Sequence, residues 1–207
     1  MSDRKPVGRR SRKRFSARHY IGNAYLNQGE WGEAARQLEQ AIEIADDIGN
    51  LQLQNEARRE LALARLYQGE LAAAREMAEA ACKYDFPSSN HYASAVLGVI
   101  ALRQGDTIAA RAAFTTALKQ ANELLAQTPQ LYGALDSKGL ALCGLALCEG
   151  AQHVSAAKEA FRAARAITSA AGIVGQVLRL FDALAQADMT GMLAEVRAEI
   201  AGEKMNP

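Results

Sequence analysis

The side chains best suited to chemistry are few and widely spread. Three histidines (His19, His91, His153) and three cysteines (Cys82, Cys143, Cys148) are distributed over 207 residues. Histidine can relay a proton near neutral pH, and cysteine can act as a nucleophile or soft metal ligand, but each needs partners close by. The histidines fall in separate stretches and read as surface or groove side chains, not ligands. Cys143 and Cys148 are five residues apart. In a helix that is about 500° of rotation, so they point in different directions. Both read as small buried residues. Asp46-Asp47 has no further oxygen ligands nearby, and solvated polarity at a helix end explains it better than a cation site. Phosphate-binding, dinucleotide-binding, zinc-protease and nucleophile-elbow motifs are absent from the sequence. The expectation is a non-enzyme, with no catalytic residue, metal or cofactor.

Recognition is left, and here charge is informative. A net charge of +1 hides an asymmetry: residues 1–18 hold eight basic side chains against Asp3 alone, giving +7 there and −6 over the rest. Within that stretch Arg9, Arg10, Arg12, Lys13 and Arg14 are candidates for nucleic-acid contact through phosphate neutralisation. An acidic membrane surface is a second reading, but no amphipathic apolar face accompanies the charges. An inert leader is a third. Residues 1–14, broken by Pro6 and Gly8, read as a disordered basic arm.

The elements that would position these groups are helices. Apolar residues make up 49% of the chain but aromatics only 6%, and alanine supplies much of the difference. Alanine favours helix and lets helices approach closely. Runs of β-branched residues with period-two alternation do not occur, so the chain is expected to be all-α. The odd cysteine count without framework spacing points to a reducing, cytoplasmic compartment. No uncharged run reaches the roughly 18–20 residues that a membrane span needs, and the start shows no apolar signal core.

A first helix is expected from Phe15 or Ser16 to Gln28, with Ala17, Tyr20, Ile21, Ala24 and Tyr25 on one face. Gly29 ends it, Glu30 opens the next, and that second helix carries Trp31, Ala34, Ala35, Leu38, Ala41, Ile42 and Ala45 inward. Trp31 reads as hairpin packing more readily than as a binding hot spot. The hinge Gln28-Gly29-Glu30 returns as Gln68-Gly69-Glu70 and Gln104-Gly105-Asp106, and more weakly as Glu149-Gly150-Ala151. The glycines are 40, 36 and 45 residues apart, a period that signals stacked helical hairpins.

These residues resemble the tetratricopeptide repeat. The first copy shows Ile21-Gly22-x2-Tyr25, then Ala34-x3-Leu38 and Ala41; the third shows Leu97-Gly98-x2-Ala101, then Ala110-x3-Phe114 and Ala117. The second is degenerate but in register at Leu61-Ala62, Ala74, Ala78 and Ala81, and the fourth keeps Ala157-x3-Phe161 and Ala164 behind a hinge two residues longer. The repeat's tryptophan position holds Arg18, Arg58 and Ser94, and its closing proline is missing. The longer repeats are similar to the sensor arms of bacterial STAND-class signalling ATPases and related helix-turn-helix activators.

The resemblance implies a right-handed superhelical solenoid of about four hairpins (15–50, 51–88, 89–128, 129–171), a capping helix pair (172–201) and a frayed tail (202–207). It implies a scaffold that holds a protein or peptide in its concave groove, in bacterial regulation or signalling. Carried over by register, the groove positions are His19, Asn23 and Asn27, then Arg59, Leu63 and Tyr67, then Tyr92, Val99 and Arg103. Amides suit a peptide backbone, arginine a carboxylate, and tyrosine contributes contact area at low rotamer cost. Of the family's lysine–asparagine clamp for a terminal carboxylate only Asn23 is matched, so a chaperone tail is not the expected ligand. The competing reading is nucleic-acid binding through the basic arm, with the repeats used for self-association into a homo-oligomer.

Overall fold

The computed structural model describes residues 9–202, the side chain of Arg9 excepted. Ten α-helices, and no strand, make up the described residues. They form two compact units that divide between Phe86 and Pro87. The first holds α1 (Arg9–Gln28), α2 (Trp31–Ile48), α3 (Leu51–Gln68) and α4 (Leu71–Cys82). The second holds α5 (Pro87–Arg103), α6 (Thr107–Gln127), α7 (Tyr132–Glu149), a 3-10 turn (Ala151–His153), α8 (Val154–Ile167), α9 (Ala171–Ala185) and α10 (Val196–Ala201). Within each unit, α1 to α4 and α5 to α8 pack each on the next, as a helical repeat requires.

The hinges explain the repetition. Gly29, Gly69 and Gly105 have φ of 84°, 81° and 78°, which glycine alone adopts without cost. At each, the following amide reaches back five residues: Glu30 N to Tyr25 O at 3.0 Å, Glu70 N to Arg65 O at 2.9 Å, and Asp106 N to Ala101 O at 3.0 Å. The glycine amide bonds three residues back at the same time, so all three hinges are Schellman turns. Gly150 differs, with φ 119° and ψ 172° leading into the 3-10 turn. The extra length expected at the fourth hinge is that turn.

Packing between paired helices follows one rule in α1–α2, α5–α6 and α7–α8. A Cβ on Gly22 would lie 2.8 Å from Leu38 Cγ; on Gly98, 2.6 Å from Phe114; on Gly139, 2.6 Å from Phe161. A bare backbone on the leading helix receives a large side chain from the trailing one. The fourth copy's glycine is therefore Gly139, eleven residues before its hinge where the others stand seven before.

Several boundaries need correction. Helix α1 begins at Arg9, so residues 9–14 of the expected disordered arm are helical, and only residues 1–8 of it lie outside the description. Good helix formers such as arginine and lysine extend the helix N-terminally beyond its packed part. Helix α5 begins at Pro87; proline fits a first helical position. The apolar stripe of α1 also faces the other way: Tyr20, Ile21, Ala17 and Ala24 are exposed, and Phe15, Gly22 and Leu26 are buried. Of the tail, residues 203–207 lie outside the described part.

The C-terminal pair departs most from a simple stack. Helix α10 packs on α8 and α9, but α9 lies against α5 and, less extensively, α7. It brings Val174, Val177, Leu180, Phe181 and Leu184 to that contact side as a buried stripe. Helix α5 can accept it because Val96, Val99 and Ile100 leave it apolar on more than one side.

Candidate functional site

In the first unit, the leading helices α1 and α3 meet through a polar pair. His19 Nε2 lies 2.7 Å from Glu60 Oε2, with side chains 12% and 10% exposed. Phe15 stacks on the imidazole at 5.1 Å, and Arg59 Nη2 stands 3.4 Å from Glu60 Oε1. Burial disfavours the charged imidazole, but the hydrogen bond and charge of Glu60, with Glu56 behind it, outweigh burial and raise the His19 pKa above its ordinary value. Glu60 is the residue that groove reasoning passed over. Its signal was an acid at a groove position one repeat after a histidine.

Around this pair the other candidates of the first unit separate. Asn23 is half-buried and Asn27 exposed, one turn apart on α1. Leu63 is buried at 7% exposure and belongs to the interior. Tyr67 packs on Trp31 with centroids 4.8 Å apart, which gives Trp31 its packing role. The accessible remainder is an amide-bearing strip on α1, bounded by His19, Arg59 and the half-buried Tyr67.

The second unit arranges its three candidates differently. Val99 has no exposed surface. Arg103 Nη1 donates to Ala183 O on α9 at 3.3 Å, and Tyr92 is half-buried. The face that α5 and α7 would offer to a ligand is covered by α9 instead. The polar sequence positions in place of the repeat's tryptophan are also used internally: Arg18 bonds Gln37 at 2.8 Å, and Ser94 bonds Gln120 at 2.9 Å. Arg58 pairs with Asp46 at 2.6 Å and lies over the Tyr84 ring. Burial works against the ionised Asp46, yet Arg58 and Gln54 hold its carboxyl below the usual range.

Two constellations could be mistaken for reactive sites. His91 Nδ1 lies 2.8 Å from Ser137 Oγ, but the residues are 5% and 1% exposed, so a substrate carbonyl has no approach. His91 is thus buried, not the surface or groove residue its sequence context implied. Cys148 lines an open hollow of about 520 Å³ with Ile108, Arg111 and Thr115. Burial and Glu149 push its thiol pKa up, leaving little thiolate for nucleophilic attack. Cys143 is fully buried, and its thiol is pushed up further. Among the described residues no group of three or more His, Cys, Asp or Glu side chains is placed to hold a metal ion.

The second unit's strongest electrostatic feature is internal. Arg165 reaches both oxygens of Asp136 at 2.5 and 2.6 Å, with side chains 6% and 7% exposed. Burial pushes the Asp136 carboxyl up to about 6, with Arg165 pulling against it.

The repeated hinge, the glycine-to-large-residue packing and the consecutive hairpins are features of a helical repeat. Residues 15–48 match the tetratricopeptide repeat. That segment spans most of α1 and all of α2, the copy with the fullest pattern. No curated protein matches the chain. A tetratricopeptide repeat supports a protein-interaction scaffold as the general role. Among the described residues no helix is long and apolar enough to cross a membrane.

Proposed function

We propose that the chain is a non-catalytic scaffold that holds a protein or peptide partner on the α1–α3 face of its first unit, in bacterial regulation or signalling. The observation that carries this reading is the accessible amide strip of Asn23 and Asn27 beside a preformed His19–Glu60 pair. Amides one turn apart suit the alternating donors and acceptors of an extended backbone. Arg59 adds a charge for a carboxylate. Because packed helices already fix the backbone of this face, binding loses little backbone ordering entropy. Of the candidates in the second unit, buried Val99 and α9-tethered Arg103 are left out of this face. The test is capture from native lysate followed by mass spectrometry. A double Asn23→Ala, Asn27→Ala variant should lose the partner while keeping wild-type helicity; unchanged capture would refute the assignment.

A second reading, nucleic-acid binding, draws on the exposed Arg10, Arg12, Lys13 and Arg14 at the start of α1. Each phosphate neutralised should steepen the fall of log affinity with log salt by about 0.9. A gel-shift titration showing no binding, or a flat salt response, would remove it.

A further inference from the structure

We propose that α1 is a self-complementary docking face through which two copies of this chain pair antiparallel, about a twofold axis passing between Tyr20 and Ile21. The first observation is exposure. Tyr20 is 71% and Ile21 42% exposed, although both sit in the middle of a long helix. Ala17 and Ala24 are exposed beside them. The four recur at three- and four-residue steps and make one apolar stripe on the side of α1 turned away from α2. Large side chains flanked by small ones allow a second helix to approach closely.

The second observation is the stripe's symmetry. A twofold axis between residues 20 and 21 places Tyr20 against the partner's Ile21 and Ala17 against the partner's Ala24. A bulky pair at the centre is then flanked by two small pairs, and the same patch serves both copies, as a twofold interface requires.

The third observation is charge. At one end of the stripe Arg10, Lys13 and Arg14 are exposed and make no ion pair among the described residues. At the other end Glu30 is exposed and its side chain makes no capping bond. At 1.5 Å per residue, Arg10 and Glu30 lie nearly equally far from the axis, each roughly 15 Å away on opposite sides. An antiparallel pair therefore sets each basic end against the other copy's Glu30 and the negative end of its helix dipole. Nucleic acid would account for the arginines but not for exposed tyrosine and isoleucine between alanines. A second copy accounts for all three features with one set of residues. A single helix pair falls at the small end of interface sizes, so the association should be weak and concentration-dependent.

Sedimentation equilibrium of the full chain from about 1 to about 100 µM tests this. A monomer–dimer equilibrium is expected. Tyr20→Glu should weaken it at least tenfold, with helicity retained by circular dichroism because the side chain is exposed. The Arg10→Glu, Arg14→Glu double variant should also weaken it, and adding Glu30→Lys should restore it by reversing both signs. In a Cys82→Ser background, Ile21→Cys should cross-link to its own copy under mild oxidation. A monomer throughout the range, a dimer indifferent to Tyr20→Glu, or absence of rescue by Glu30→Lys would each overturn the proposal. Recruitment to anionic vesicles without any dimer in solution would also overturn it.

Discussion

In the first unit, the leading helices α1 and α3 touch through His19 and Glu60 and leave Asn23 and Asn27 accessible. In the second, α5 and α7 carry the same kind of hairpin, but α9 lies across them and Arg103 is tied to its backbone. The interiors differ in the same sense. The first is filled largely by alanine and leucine, whereas the second centres on Phe114, Phe161 and Phe181. One hairpin plan thus yields an open polar face or a covered apolar one, depending on whether a later helix finds enough apolar surface to settle there. Repeat register alone therefore does not define a binding face. What the leading helix offers beyond its partner helix decides it.

The largest effect is expected from the buried Asp136–Arg165 pair of the second unit. Asp136→Ala leaves the Arg165 guanidinium buried and without its partner, which should destabilise by about 3–5 kcal/mol. Hydrogen exchange should show the loss concentrated in α5 to α10, with α1 to α4 nearly unchanged. Equal loss in both halves would mean that the units do not respond separately.

Next comes steric fit. A Cβ on Gly144 would stand 2.2 Å from the Phe114 ring. Gly144→Ala should therefore destabilise by about 1–3 kcal/mol, an overpacking cost partly offset by alanine's better helix propensity. Gly172→Ala, with nothing within 4 Å, should be neutral or slightly stabilising in the same chemical-denaturation assay.

pH should also separate the two units. His19 has a raised pKa in the folded state, so its stabilising contribution is complete below the ordinary value of 6.5 and is lost as pH rises through the raised one. Asp136, raised to about 6 from 3.8, favours the folded state in its protonated form, so its contribution falls as pH rises between those values. The two windows are separate, and each belongs to one unit. Melting followed by hydrogen exchange across both windows should show the second unit weakening first and the first unit later. Glu60→Gln should abolish only the later step.

Much of this was legible in the sequence, because hinges obey local chemistry. Glycine at Gly29, Gly69 and Gly105 is required by backbone conformation, and the residues on either side follow from it. The fourth copy was harder to read because α7 carries one extra turn before Gly150, which moved Gly139 out of register. The position of α9 was not legible, since it depends on which surface remains apolar after hairpins have formed. A signal was present in α5, whose Ala93 to Ala101 stretch lacks a continuous polar face. The reversed stripe of α1 has a similar cause: Leu38 needs the bare Cα of Gly22, and that contact sets the rotation of the helix. The groove positions carried over from the repeat pattern lie on α1, α3 and α5. They could not tell that Leu63 and Val99 would be interior.

Phe114 sits between two glycines. One edge of its ring, Cδ1 and Cε1, faces Gly98 on α5, and the other, Cδ2 and Cε2, faces Gly144 on α7. At each of these two edges the neighbour is a glycine, which has no side chain to swing aside. A half-turn of the ring requires α5 and α7 to part momentarily, so its flip rate is a clock for the breathing of the second unit.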